Sequence, residues 1–159
     1  EGMSLGDSLL DYVSKKVIIS HQEDYFPNKD GKFVMSAFDK TFFSKLYDWI
    51  QVGYKSNDNN FKIHLIDGVI SYSNNIKDCY YKQKSIIEDL SVLFKDAKWE
   101  DSEFEDEDGF FTNYYTFLKS GEIVVVSCYD WNSEMEKKYF DHLKVYISSK
   151  EFDDWSNED

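Results

Sequence analysis

Apolar and polar residues alternate with a period of two through much of the C-terminal half of the chain. The alternation occupies residues 110–118 and 122–131, which flank a short turn-forming segment ending in Gly121, and it returns in residues 141–148. Successive side chains of a β-strand point to opposite faces, so this period indicates strands with one buried face. Because a short glycine-containing segment separates the first two runs, they predict a β-hairpin.

Helical spacing dominates other parts of the chain. Apolar residues recur at intervals of three and four in residues 7–15, 39–54 and 78–96, and Asp39 is suited to cap the second of these helices. Residues 148–151 match the capping-box pattern of Ser followed three positions later by Glu, which predicts a short terminal helix. The sequence therefore combines helices with strands.

A second hairpin is predicted around Asp67-Gly68. These two residues separate the strand-like runs 61–66 and 69–73. Asp and Gly both tolerate positive φ, so an Asp-Gly pair between two such runs favours a type I′ turn.

Taken together, these patterns predict an α+β fold. We expect a mostly antiparallel sheet of about five to six strands, with two longer helices packed on one face and short terminal helices. Residues 1–2 precede Met3 and are typical of an expression-tag remnant, and residues 3–159 are long enough for a single globular domain. Aromatic residues make up 18% of the chain and supply large side chains for its core.

The negative charge of the chain is concentrated in its C-terminal part. Residues 1–98 contain 14 Asp and Glu against 13 Lys, whereas residues 99–159 contain 17 against five. In residues 100–108, seven of nine are acidic. Charge this dense repels itself, which leaves three interpretations: a solvated loop, a surface that attracts a basic protein, or mimicry of nucleic-acid phosphates.

Aromatic residues lie among these acidic residues, and aromatic anchors surrounded by charge are typical of tight interfaces. Because the charge is concentrated while residues 1–98 are nearly neutral, we favour a protein-binding surface. The predicted partner-binding residues are Glu100, Asp101, Glu103, Phe104, Glu105, Asp106, Glu107, Asp108, Trp131, Asp153, Asp154 and Trp155.

The remaining composition restricts the partner and the compartment. All 18 basic residues are lysines, and arginine is the usual residue for gripping phosphates and guanine edges, so we expect no direct nucleic-acid binding. No apolar run is long enough to cross a membrane, so we expect a soluble, cytoplasmic protein with no membrane contact. Cys79 and Cys128 lack metal-site spacing, and we favour two reduced thiols, with a disulfide between them as the open alternative.

The sequence carries no recognised catalytic, phosphate-binding or metal-binding motif. The three histidines, His21, His64 and His142, are explained by a loop and by strand faces, and none adjoins a Ser or Cys nucleophile in a recognised setting. We therefore predict a protein that is not an enzyme and that needs neither a cofactor nor a metal.

The function predicted from these features is binding. We expect a bacterial inhibitor or immunity-type protein that masks the active site of a basic partner such as a nuclease toxin, as a monomer or weak dimer. Three alternatives stay open. They are an acidic secretion chaperone or adaptor, a nucleic-acid mimic that inhibits a DNA-binding protein, and an enzyme whose His and carboxylate groups assemble only in the fold.

Overall fold

The computed structural model describes residues 2–43, 45–73 and 75–158. Within these residues the chain forms the α-helices α1 (Lys15–Ser20), α2 (Ile76–Leu93) and α3 (Lys150–Asn157). The strands are β1 (Gln22–Glu23), β2 (Phe33–Asp39), β3 (Trp49–Lys55), β4 (Ile63–Ser71), β5 (Glu100–Glu105), β6 (Gly109–Phe117), β7 (Ile123–Trp131) and β8 (His142–Ser148).

The strands hydrogen-bond in the order β1-β2-β3-β4-β8-β7-β6-β5 and form one antiparallel sheet. The prediction of about five to six strands with two longer helices is therefore wrong, although the fold is broadly α+β. In the described parts of the chain only α2 is long, with 18 residues, while α1 and α3 have six and eight.

The helix predicted over residues 39–54 is absent from the described residues of that range, 39–43 and 45–54, and β3 occupies its second half. Ile50, Val52 and Tyr54 alternate along β3 and are all buried. These three residues therefore follow the two-residue period of a strand and lie on one face of the sheet. β3 pairs with β2 from Phe33↔Lys55 to Asp39↔Trp49, and this pairing buries that face. A short apolar run can fit both a helical and a strand period, and here pairing with β2 determines that the segment is a strand.

The hairpin predicted at Asp67-Gly68 is also absent, because β4 runs through both residues without a turn. Asp67 is fully buried. A Cβ atom at Gly68 would lie 2.6 Å from Cδ1 of Tyr47, so the glycine permits the aromatic ring to pack directly on the strand. This glycine serves close packing instead of a turn.

The N-terminal residues form a short 3-10 turn over Leu9–Asp11 followed by α1, instead of one helix over residues 7–15. Ser8 accepts a hydrogen bond from the amide of Leu10, and Ser14 accepts one from the amide of Val17. Each serine caps the segment that follows it, so two caps divide what the apolar spacing predicted as a single helix.

The chain divides into two compact units, which we call unit 1 (Glu1–Gly68 and Ile147–Asp159) and unit 2 (Val69–Tyr146). Unit 1 contains an apolar core formed by residues of the N-terminal segments and of β2 to β4. The buried residues of this core are Leu9, Ile18, Phe38, Ile50, Val52, Tyr54, Phe61 and Ile63.

Unit 2 is organised by the contact of α2 with β6 and β7. The Gln83 side-chain amide of α2 donates hydrogen bonds to the carbonyls of Thr112 and Val126, both at 2.9 Å, and accepts one from the Thr112 hydroxyl. Because this buried amide uses both its donor and its acceptor, it fixes the helix on one face of the strands at little desolvation cost.

A disulfide joins Cys79 of α2 to Cys128 of β7, and both residues are fully buried. The prediction of two reduced thiols is therefore wrong. The two cysteines are 49 residues apart in the sequence, so their contact could not be predicted from local patterns. It results from the packing of α2 on β7. The disulfide holds the same helix and strand together as Gln83.

Candidate protein-binding surface

The acidic segment, residues 100–108, forms an edge of the sheet. Its first six residues are β5, which stands last in the strand order and pairs only with β6. All six side chains of β5 are exposed. Residues 106–108 form the tight connection to β6, in which the Asp106 side chain accepts hydrogen bonds from the amides of Asp108 and Gly109. The acidic segment is thus a strand and its turn.

The seven carboxylates of the acidic segment have no lysine partner among the described residues. Glu100 accepts a hydrogen bond from the Tyr115 hydroxyl at 2.9 Å, and this bond raises the pKa of that phenol. Unit 2 contains 16 Asp and Glu and nine Lys, and outside the acidic segment it contains nine of each. The whole net charge of unit 2 therefore resides in the acidic segment.

A row of aromatic rings in stacked and edge-on contact lies on the face of the strands opposite α2. Thr112 and Cys128 contact α2, so their sequence neighbours on β6 and β7 point to the other face. The rings follow one another across β5 to β8 at centroid distances between 4.5 and 5.7 Å. We call them the aromatic row: Phe104, Phe111, Tyr129, Trp131, Tyr139 and His142.

Phe104 is the end of the aromatic row that meets the acidic segment. Its ring stacks on Phe111 at 4.9 Å, and Phe111 packs edge-on against Trp131 at 5.2 Å. Phe104 is 49% exposed, whereas Phe111 is only 4% exposed. An exposed aromatic side chain backed by buried rings is held in place and loses little entropy when it contacts a partner.

His142 takes part in the aromatic row as a neutral ring. It lies almost parallel to Tyr129 at 4.5 Å, and its Nδ1 is 2.8 Å from the carbonyl oxygen of Phe140. Because a carbonyl only accepts, Nδ1 carries the proton. Burial lowers the pKa of His142 to about 4, so the imidazole is uncharged at neutral pH.

The predicted residues of the C-terminal helix belong to unit 1, whereas the acidic segment and the aromatic row belong to unit 2. Trp155 is 3% exposed, donates its indole N–H to Asp30 at 2.7 Å and packs against Phe26 at 5.0 Å. It therefore stabilises unit 1 from within.

The carboxylates of this helix are partly neutralised by nearby groups. Glu151 lies 2.8 Å from the Lys55 ammonium and 3.2 Å from that of Lys32, and its pKa is lowered, chiefly by the hydrogen bond from Lys55. Asp154 pairs with Lys150 at 2.6 Å. Asp153 accepts a hydrogen bond from Asn157, and its burial raises its pKa.

The nearest arrangement to a catalytic site is the pair His64 and Ser149 in unit 1. His64 Nδ1 lies 3.0 Å from the Ser149 hydroxyl, and Ser149 caps α3 by accepting from the amide of Phe152. Burial lowers the pKa of His64. No carboxylate hydrogen-bonds to this histidine in the described part of the chain, so the pair lacks the third group that orients a catalytic base.

Neither the surroundings of His21 nor the placement of potential metal ligands among the described residues indicates a catalytic site. His21 Nδ1 lies 2.8 Å from the carbonyl of Val17, and its ring stacks on Phe38. The described residues contain no group of three or more His, Cys, Asp or Glu arranged to hold a metal ion.

Two members of the aromatic row, Phe104 and Trp131, are among the predicted partner-binding residues. Four others are not: Phe111, Tyr129, Tyr139 and His142. The signal for two of them was present in the alternation of β7 and β8, which places Tyr129 and His142 on defined strand faces. Their adjacency depends on the pairing of strands across the sheet, and a period alone does not specify it.

Comparison of the chain with protein-family models, curated proteins and solved structures found no match. Within the described residues, no helix is long and apolar enough to cross a membrane.

Proposed function

We propose that this protein is a non-enzymatic binding protein of the inhibitor or immunity type, which masks a basic surface of a protein partner. The observation that carries the proposal is a set of seven carboxylates around the half-exposed Phe104. Six of them are exposed, and none has a lysine partner among the described residues. A nuclease toxin fits this description, because its active-site cleft is positive to hold nucleic acid. The absence of arginine supports a protein partner over a nucleic acid.

The proposed mechanism has two steps. The acidic segment first attracts the basic partner over distance, and such steering raises association rates by about 10- to 1000-fold at low salt. Phe104 then enters an apolar pocket of the partner, supported by Phe111 and Trp131. Burial of this anchor slows dissociation, because most differences in affinity between related complexes lie in the dissociation rate.

The disulfide bears on where binding takes place. Cytosolic thiols are kept reduced, whereas disulfides persist in the periplasm and outside the cell. We therefore propose an oxidising compartment in place of the cytoplasmic location expected from the sequence. Alkylation after acid quenching and denaturation of whole cells tests this point: Cys79 and Cys128 should resist labelling in the denatured protein until a reductant is added, and labelling without reductant would contradict it.

Carboxyl footprinting of the complex tests the proposed surface. The partner is captured from an extract of the source organism, and the free and bound protein are labelled with a water-soluble carbodiimide and a small amine. We expect labelling of residues 100–108 to fall on binding, while Asp153 and Asp154 of α3 are labelled equally in both states. Equal labelling of residues 100–108 in the two states would overturn the proposal.

A further inference from the structure

The backbone pattern of β5 shows which of its amides face away from the sheet. In the turn to β6, the amide of Asp106 donates to the carbonyl of Gly109. Hydrogen-bonded and non-hydrogen-bonded pairs alternate along an antiparallel ladder, and the register pairs Glu105 with Phe110 and Phe104 with Phe111. Residues 100, 102 and 104 therefore bond to β6, and residues 101, 103 and 105 direct their N–H and C=O groups outward.

The pairing of β6 with β7 leads to the same assignment. The amide of Asn132 donates to the carbonyl of Asp108, and that of Leu118 donates to the carbonyl of Glu122. In this register the even-numbered residues of β6 bond to β7, so its odd-numbered residues bond to β5. The outer edge of β5 thus presents the unpaired backbone groups of Asp101, Glu103 and Glu105.

The two faces of β5 differ in chemistry. Asp101, Glu103 and Glu105 point to the same face as Thr112, which is the face that carries α2. Glu100, Ser102 and Phe104 point to the face of the aromatic row. Any strand that pairs with β5 must meet carboxylates on one face and an aromatic ring on the other.

We propose that the partner contributes an extended segment, rich in lysine or arginine at alternate positions, which pairs antiparallel with β5 as an additional strand of the sheet. This inference rests on the proposed function and specifies how the partner binds. Main-chain hydrogen bonds to Asp101, Glu103 and Glu105 supply affinity, and the alternating side chains supply specificity. The basic residues lie opposite these three acids, and apolar residues lie beside Phe104.

Charge excludes a second copy of this chain as the added strand. Two β5 strands side by side would place carboxylates directly opposite carboxylates, which destabilises the pair. Acidic side chains on an edge strand also prevent self-association. A basic segment in the same position would replace each of these repulsions with an attraction between opposite charges. The opposite end of the sheet is β1, with only two residues, so β5 with six is the longer docking edge.

Synthetic peptides test this inference without the natural partner. The probe is a peptide of about eight residues that alternates lysine with valine, long enough to cover the ~20 Å length of a six-residue strand. A control peptide has the same composition in an order that breaks the alternation. Two further peptides carry backbone N-methyl groups, one on its lysines and the other on its valines.

The methylated peptides separate strand pairing from attraction between charges, because all four peptides have the same charge. In an antiparallel pair, residues opposite Asp101, Glu103 and Glu105 direct their amides toward β5. Methyl groups on the lysines therefore block pairing, whereas methyl groups on the valines point away. We expect the lysine-methylated peptide to bind at least about tenfold more weakly than the unmodified one, and the valine-methylated peptide to bind equally well.

Amide hydrogen exchange provides a readout within the protein. Saturation with the alternating peptide should slow exchange at Asp101, Glu103 and Glu105 and leave Glu88 and Asp89 of α2 unchanged. Two variants at one position complete the test. Glu103→Gln removes one charge and should weaken binding a few-fold, whereas Glu103→Pro also removes the outward N–H and should weaken it further.

The outcomes distinguish the two proposals. If all four peptides bind equally and only salt weakens them, strand addition is wrong while an acidic surface for a basic partner stands. If no peptide protects the three outward amides, strand addition is also wrong. If the alternating peptide pairs with β5 but carboxyl footprinting shows no protection in the natural complex, the edge accepts strands and the proposed function fails.

Discussion

Units 1 and 2 carry almost the same net charge and arrange it differently. Unit 1 has 15 Asp and Glu against nine Lys, a net of −6, and unit 2 has 16 against nine, a net of −7. In unit 1 the acidic residues are spread along the chain, and Glu151 and Asp154 have lysine partners. In unit 2 the excess lies in one edge strand and its turn. The pairing and placement of charged residues, more than the total charge, therefore mark a candidate binding surface.

The aromatic residues differ between the units in the same way. In unit 1, Trp155 is enclosed by Phe26, Phe33 and Phe152, and its indole N–H is used by Asp30. In unit 2 the aromatic row ends at the exposed Phe104. The aromatic cluster around Trp155 is therefore part of a core, whereas the aromatic row of unit 2 reaches the surface at Phe104, next to the carboxylates of the acidic segment.

The largest expected effect separates these two clusters. Trp155→Ala should destabilise the protein by about 3–5 kcal/mol, because it leaves a cavity and removes the hydrogen bond from the indole to Asp30. Phe104→Ala should cost about 1 kcal/mol, because half of the side chain is already in water. Urea unfolding measures both variants. Equal losses would contradict the assignment of Trp155 to packing and of Phe104 to the surface.

Removal of the disulfide should have the next largest effect. The double variant Cys79→Ala with Cys128→Ala opens a loop of 49 residues and should lose about 2–4 kcal/mol. Hydrogen exchange should report the loss first in α2 and β7, the two elements that the disulfide joins. If protection fell first in β2 and β3 of unit 1, the two units would not be energetically distinct.

Acidification should weaken the aromatic row through His142. The pKa of this residue is lowered by burial from 6.5 to about 4, so the folded state resists protonation. Its contribution is fully present above pH 6.5 and is lost as pH falls toward 4, by about 1–3 kcal/mol. His142→Phe keeps a stacked ring that does not titrate, and its stability should fall less over this range. An NMR titration with an ordinary pKa for His142 would refute the assignment.

The smallest expected effect compares a paired and an unpaired carboxylate. Glu151→Gln removes the contacts with Lys32 and Lys55 and should cost at most about 1 kcal/mol, since these groups are partly exposed. Glu105→Gln removes a charge with no lysine partner and should leave stability unchanged or raise it, because it relieves repulsion within the acidic segment. Thermal unfolding of the two variants decides the comparison, and a greater loss for Glu105→Gln would contradict it.

Local sequence patterns correctly predicted the elements in which a single hydrophobic period is present. α2 lies within two to three residues of the predicted helix 78–96, and β6, β7 and β8 match the alternating segments. In each case one period dominates a run long enough to exclude the other. The hairpin of β6 and β7 also has Gly121 at positive φ in its turn, as turn chemistry requires.

Elements that depend on distant contacts were not predictable from the same patterns. Ile50 fits both a helical and a strand period, and only pairing with β2 selects the strand. Gly68 is indistinguishable in sequence from a turn glycine, although Tyr47 packs on it. The Cys79–Cys128 pair requires α2 to lie on β7. These three features share a cause, because each is determined by residues far apart in the chain.

The candidate surface was predicted in part. The acidic segment and Phe104 are contiguous in sequence, so local charge density was enough to name them. The charge excess of the C-terminal part, however, is divided by the fold between the two units, because α3 belongs to unit 1. Grouping Asp153, Asp154 and Trp155 with the acidic segment followed sequence position, which does not show that Trp155 is buried.

Association kinetics test the central claim most directly. One variant reverses four charges in the acidic segment (Glu103→Lys, Glu105→Lys, Asp106→Lys, Glu107→Lys), and a matched control reverses four exposed acids elsewhere in unit 2 (Glu88→Lys, Asp89→Lys, Glu134→Lys, Glu136→Lys). Both change the net charge equally. Association with the captured partner is measured by stopped flow at several salt concentrations.

We expect the acidic-segment variant to associate at least about tenfold more slowly than the control, and its rate to lose the decline with salt seen for the unmodified protein. Equal rates for the two variants, or a rate for the unmodified protein that is independent of salt, would contradict the claim that the acidic segment is the binding surface.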